Sequence, residues 1–363
     1  MNLFRRYFSV GRGRGPAMPG TAGPVLSGAG RGQSGPAKPE PGPGVLEAAA
    51  SGPLGPYRDA SRLPGAGPGQ EGPGSAGPAA EIGAVPGRMF LQRFRRHKLG
   101  VAGAIALGVM ALAALLAPLI APYDPNAVTD SFGEGPSLRH WLGTDPIGRD
   151  MLSRLIYAAR VSLAAGLGAM AIAAAIGTLL GLIAGYAGGW IDNVIMRVTD
   201  IFMAFPYLML ILVVASLVGP GLTNIILILG LLGWPAVARL VRGNVLAIKQ
   251  ADYVTAAVAL GLSRTRILLR HILPNTVAPI LIYATSGVAG AILDEAALSF
   301  LGLGVQPPDA SWGNMLASAQ SLTVLTSQPW LWVPPGVAII VTVLAVNFVG
   351  DALRDALDPR NRH

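Results

Sequence analysis

Cysteine is missing from all 363 residues, which excludes a disulfide-stapled scaffold and any thiolate metal centre. Charge is scarce as well. Asp, Glu, Lys and Arg make up 13% of the chain, against about a quarter in soluble globular domains, too few to cover a soluble protein of this size. Lysine occurs only at Lys38, Lys98 and Lys249, and no Gly-x4-Gly-Lys-Ser/Thr run exists. The chain therefore has no P-loop with which to cradle and hydrolyse ATP. The four histidines, His97, His140, His271 and His363, are dispersed without metal-ligand spacing. The nearest approach to an intramembrane serine nucleophile, Ala284-Thr-Ser-Gly287, lacks a leading Gly and a partner His. What is abundant is apolar: 52% of residues are hydrophobic and the mean hydropathy is +0.52. These numbers exclude disorder throughout the chain and leave a multi-span membrane protein without catalytic, cofactor or metal residues of its own.

The 48 glycines and 30 prolines are unevenly placed. Residues 1–88 hold 21 Gly and 14 Pro, with runs such as Gly11-Arg-Gly-Arg-Gly-Pro16 and no apolar period. Such a segment cannot bury enough apolar surface to offset its ordering entropy, and it reads as a disordered cytoplasmic extension. Residues 1–98 contain 13 Lys/Arg and 5 Asp/Glu, a net of +8, whereas residues 99–363 contain 14 of each. The basic balance thus belongs to the tail and its junction, and no nucleic-acid partner follows from it.

A span needs about 20 mostly apolar residues to cross about 30 Å of hydrocarbon. Uncharged windows predict six spans, at about 99–121, 161–187, 201–218, 222–240, 276–298 and 331–350. The first follows a cationic collar, Arg93, Arg95, Arg96, His97 and Lys98, which places its start in the cytoplasm. Gly188-Gly189 ends the second, and Gly219-Pro220-Gly221 divides 38 uncharged residues, 201–238, into two. Six spans put both termini on the cytoplasmic side. The segment between spans four and five carries Arg239, Arg242, Lys249, Arg264, Arg266 and Arg270, while 299–330 has no Lys or Arg, so the former is cytoplasmic and the latter external.

Within the second span small residues recur every fourth position, at Ala165, Ala169, Ala173, Gly177, Gly181 and Gly185. This ridge is a packing feature, because close backbone approach supplies much of helix association in lipid. In the external loop, Asp145-Pro146 predicts a short capped helix and Asp150 with Arg154 an i, i+4 pair. Arg197 and Asp200 read as a surface pair.

The polar segment Val241–Asn275 is too long for a simple connector. Tyr253, Ala256, Ala257 and Leu260 fall at i, i+3, i+4 and i+7 and form a narrow apolar face. Gly261 stops that helix, Ser263 caps a second over Arg264–His271, and Leu273-Pro274 ends it. A helix–Gly–helix of this kind suits docking into a partner's groove or lying on a membrane surface.

The run Ala251–Asn275 resembles the EAA loop of ABC importer permeases: Thr255-Ala256-Ala257, then Gly261, then Leu273-Pro274 reproduce its spacing. Thr255 stands where the family has an acid, and His271 where it has an apolar residue. The literal Glu295-Ala-Ala297 has Leu301 where the Gly should be. Leu142-Gly-Thr-Asp-Pro-Ile-Gly-Arg-Asp150, Arg160-Val-Ser-Leu163, Ala204-Phe-Pro206, Glu295-Ala-Ala-Leu-Ser-Phe-Leu-Gly-Leu-Gly304, Ser311-Trp-Gly-Asn314 and the segment 351–360 are similar to the C-type permease of dipeptide, oligopeptide and nickel ABC importers.

The resemblance implies an all-α protein of the type I ABC importer permease fold in a bacterial inner membrane. It divides the chain into an N-terminal region 89–157, a permease domain 158–352 with its EAA loop at 251–274, and a cytoplasmic tail 353–363. It also implies a homologous second permease, two ATPase subunits that bind ATP and Mg, an extracytoplasmic substrate-binding protein, and peptide as substrate. Nickel or another small solute is the alternative cargo. An ion-driven secondary transporter and a non-transporting scaffold are the alternative classes. Asp294, Glu295 and Asn347, polar residues near membrane depth, are candidates for the translocation path or gate.

Overall fold

The computed structural model describes residues 87–357, so the extension 1–88, save its last two residues, and the end of the C-terminal tail lie outside the described residues. The first elements are α1 (Gly87–Arg96), α2 (Lys98–Leu115) and the short α3 (Ala117–Ile120). They are followed by α4 (Met151–Ala187), α5 (Gly189–Ala204), α6 (Tyr207–Val218) and α7 (Leu222–Lys249). After these come α8 (Asp252–Ala259), α9 (Arg264–Ile267), a π-helical turn (Leu268–Ile272) and α10 (Leu273–Phe300). Two short helices, α11 (Trp312–Leu316) and α12 (Leu322–Ser327), precede α13 (Val333–Leu357). The described residues form an all-α fold with five helices long and apolar enough to cross a membrane, or six when the bent pair α5 and α6 is one span.

Five expectations are corrected. The helix of the second span begins not at 161 but at Met151, where Asp150 accepts a hydrogen bond from the Ser153 amide at 2.8 Å and caps the helix. Its 37 residues extend about 55 Å at 1.5 Å per residue, so the helix outruns the bilayer. The span expected at 201–218 is broken: α5 and α6 meet at 87°. Phe205 is held in extended conformation by the following Pro206, and α6, with 12 residues, is about 18 Å long and too short to cross alone. Asp145-Pro146 forms a turn in place of a helix. Asp145 bonds Arg149 Nε at 2.7 Å, and Asp150 bonds His140 Nδ1 at 2.9 Å, so Asp150 and Arg154 are not an ion pair. Finally, Asp200 pairs with Arg239 on α7 at 2.6 Å and not with Arg197.

The core is the α4–α7 seam. Gly177, Gly181 and Gly185 lie against Val237, Val241 and Val245, two rows of matching four-residue period. A methyl placed on Gly181 would stand 2.6 Å from the Ala238 carbonyl oxygen and 2.7 Å from Val241 Cβ, inside contact distance. Because four residues overshoot a turn by about 40°, the ridge winds round α4. Gly166, on the same helix but off this ridge, meets Ile292 of α10. Long side chains on one face and none on the other therefore bring the two backbones together without a hydrophobic force.

Glu295 is fully buried where α4, α10 and α11 converge. Its carboxylate accepts from Ser162 Oγ at 3.0 Å and Ser299 Oγ at 2.7 Å. Ser162 in turn accepts from the Trp312 amide at 3.2 Å. A buried acid is tolerated only with such partners, and the arrangement ties the segment after α10 back onto the bundle.

Candidate functional site

Two sites emerge, one at the end of α7 and one inside the bundle. At the first, Lys249 donates to the Tyr186 carbonyl at 2.8 Å and ends α7. After Gln250 the chain turns and α8 begins at Asp252, an acid suited to the positive end of the helix dipole. Gly261 closes α8 with a φ of 72°. Its amide bonds the Val258 carbonyl at 3.0 Å and the Leu262 amide bonds that of Ala257 at 3.2 Å, the two bonds of a Schellman cap that a residue with a side chain enters only with strain.

α8 has two faces. Val254 and Ala257 are buried with Val245 of α7 and with Ile267 and Ile272 of the following segment. Tyr253, Thr255, Ala256 and Leu260 are exposed, Leu260 by 80%. The expected face of Tyr253, Ala256, Ala257 and Leu260 is thus corrected at one member: Ala257 turns inward, and the remaining three form the outward apolar strip. Partial burial raises the Tyr253 hydroxyl above its ordinary range, so it stays neutral, and it accepts from Asn275 Nδ2 at 3.3 Å. Thr255 presents no charge; its hydroxyl donates to the Asp252 carbonyl at 2.8 Å.

Ser263 starts α9 with extended backbone but makes no side-chain cap bond. The expected end of this helix at Leu273-Pro274 is also corrected. The Leu273 amide reaches the Leu268 carbonyl across a π turn, and the chain runs on as α10 with Pro274 in its first turn. Proline lacks an N–H and its ring crowds the carbonyl four residues earlier, a conflict that the widened turn relieves.

The second site is a cavity of about 440 Å³ between α4, the α5–α6 elbow, α7 and α10. Phe202, Phe205 and Tyr207 enter from the elbow, and Tyr283, Gly287, Gly290 and Asp294 from α10. Those four α10 positions are i, i+4, i+7 and i+11, one stripe of the helix. The helix α5 that leads into the elbow is held to α7 by Arg242, whose Nε and Nη2 reach both carboxylate oxygens of Asp192 at 2.5 and 2.6 Å, and by the Arg239–Asp200 pair. Of the three path candidates, Asp294 lines the cavity. Glu295 is committed to Ser162 and Ser299, and Asn347, half-buried in α13, is outside the cavity lining. Sequence reasoning missed Phe205, Tyr207 and Tyr283; the Pro206 that follows Phe205 was the available signal.

The model of the family described as "binding-protein-dependent transport system inner membrane component" matches residues 177–363. That of the "N-terminal TM domain of oligopeptide transport permease C" matches residues 86–134. The chain is a binding-protein-dependent transport permease. A putative peptide permease protein of Brucella suis biovar 1 (strain 1330) is 41% identical over 293 residues, covering 80% of this chain and 94% of the relative. The glutathione transport system permease protein GsiD of Escherichia coli O6:K15:H31 (strain 536 / UPEC) is 46% identical over 278 residues, covering 76% and 91%. The permease is therefore a multi-pass component of an inner-membrane transport system, with the type I ABC importer permease fold and no enzymatic activity of its own. Membership implies an importer assembled from a partner permease, an ATPase and a binding protein, and it sets aside the secondary transporter and the scaffold.

Proposed function

We propose that this permease, paired with a homologous second permease, imports peptides delivered by an extracytoplasmic binding protein. Two ATPase subunits, which hold the ATP and Mg, grip residues 251–274 from the cytoplasm, where both termini of the chain also lie. Peptide as cargo is supported by the relatives, whose names specify peptide in one case and glutathione, itself a tripeptide, in the other.

The observation that carries the coupling role is the division of α8 into an exposed apolar strip and a buried face cemented to α7 and the α9–α10 rod. A push on Tyr253, Ala256 and Leu260 is passed through Val254 and Ala257 to two long helices at once, which is the requirement for rigid-body alternation of access.

Replacing Gly261 by Val tests it. The added side chain meets open space, so its effect comes from the positive φ, a conformation costing a β-branched residue about 1–3 kcal/mol. ATP-driven uptake into proteoliposomes is expected to fall at least about ten-fold while insertion of the chain is retained. Unchanged uptake would defeat the coupling role.

A further inference from the structure

The cavity described above is apolar apart from one charge. Asp294 is the sole ionisable acid or base among its lining residues other than the phenols of Tyr207 and Tyr283, and no Lys, Arg or His lines it. Among the described residues the Asp294 carboxylate has neither an ion-pair partner nor a hydrogen-bond donor, in contrast with Glu295 beside it, which has two. A carboxylate in an apolar wall without a partner carries a desolvation cost that a cation would relieve. Tyr207 and Tyr283 line the same cavity as that carboxylate.

The surroundings leave room for a ligand. Gly290, one turn before Asp294, has no heavy atom within 4 Å of where its Cβ would stand, so the space beside the carboxylate is open. A volume of 440 Å³ falls in the range that accepts a small organic molecule, about 300–1,000 Å³.

We propose that Asp294, assisted by the hydroxyls of Tyr207 and Tyr283, is a cation-recognition point of the translocation path that receives the α-ammonium group of the transported peptide. An ammonium group offers three N–H donors, and one carboxylate with two phenol oxygens supplies acceptors on three groups. The cavity thereby accepts a solute by its positive end and disfavours one whose leading end is neutral or negative. This inference rests on the peptide reading for the identity of the cation and on the cavity alone for the sign of the charge.

The absence of cysteine from this chain allows the sign to be measured without knowing the cargo. Gly290→Cys places one thiol in the cavity of the complete importer in proteoliposomes. Its modification by a trimethylammonium and by a sulfonate methanethiosulfonate is followed by mass spectrometry of this chain, each rate being divided by that on free cysteine. The cationic reagent is expected to be favoured about ten-fold or more, and in Gly290→Cys with Asp294→Asn the two are expected to agree within about two-fold. Equal rates in the single variant, a preference that survives in the double variant, or a thiol that neither reagent reaches would each overturn the proposal; equal or reversed rates are what a partner-subunit cation already paired with Asp294 would produce.

Uptake then identifies the source of the cation. With trialanine and N-acetyl-trialanine as probes, Asp294→Asn is expected to lower trialanine uptake about ten-fold and to leave the acetylated peptide within about two-fold of its value in the unsubstituted importer. An equal loss for both peptides, or none for either, would overturn the ammonium assignment. If the unsubstituted importer takes up neither peptide, the peptide reading and with it the ammonium assignment fall, whereas the charge preference is judged by the thiol rates alone.

Discussion

The α4–α7 seam and the α5–α6 elbow both pack against the same helix α7 and solve its packing in contrary ways. Along the seam, glycines face valines turn after turn and leave no space even for a methyl group. Along α5 and the elbow the contact is made by two ion pairs and a few aromatic rings, and a cavity remains beside the elbow. The seam is thus a rigid joint, and the contact with α5 and the elbow is a gap held by polar clasps. A transport subunit needs both: a body that moves as a unit, and a space whose walls move relative to one another.

The contrast can be broken from its tight side first. Gly181→Val forces a branched side chain against the Ala238 carbonyl and Val241; overpacking of this kind costs about 3 kcal/mol. The expected result is a large loss of thermal stability of the detergent-purified chain, with little assembled importer recovered. The clasps come next, and they differ from each other. Asp192→Ala leaves the bidentate Arg242 without its partner at a site where the aspartate is buried, and about 2 kcal/mol of stability is expected to go with it. Asp200→Ala removes a pair whose side chains are about half exposed, worth at most about 1 kcal/mol, so thermal unfolding of the two variants should rank them clearly. The smallest effect belongs to the open side: Gly290→Ala adds a methyl where nothing lies within 4 Å and improves helix propensity by at most about 1 kcal/mol. A melting temperature equal to or slightly above that of the unsubstituted chain is expected. A loss as large as that of Gly181→Val would show that the gap is closed in the folded chain.

The parts legible in the sequence are those governed by a single residue's backbone freedom or by a regular period. Gly188, Gly219, Gly221 and Gly261 all adopt positive φ where breaks were expected, and the small-residue ridge of α4 is buried along its whole length. The start of α4 was misplaced because charge marks the edge of the membrane and not the end of a helix; Asp150 and its cap carry the helix past Arg154 and Arg160. The elbow was missed because composition cannot distinguish an apolar span from two apolar halves at a right angle, although Phe205-Pro206 already disfavoured continuous helix there. The cavity was illegible. Its walls come from five helices, and it is open where Gly290 leaves a side chain out, a property of the assembly and not of any local pattern. Asp294 and Glu295, adjacent and alike in sequence, are separated only by the 100° that one helical step turns them.

The π turn at Leu268–Ile272 sets an angular offset. It accommodates about one residue more than an α-helical turn would, and one residue corresponds to about 100° of rotation. The azimuth at which α9 leaves the rod is therefore out of phase with the azimuth at which Asp294 meets the cavity, by an amount stored in five residues. Shortening that turn by one residue would swing the cytoplasmic end of the rod by about a quarter-turn relative to the cavity stripe without altering the chemistry of either end. Alignment between the two sites is in this sense a matter of residue count, held in the one turn of the rod that is not α-helical.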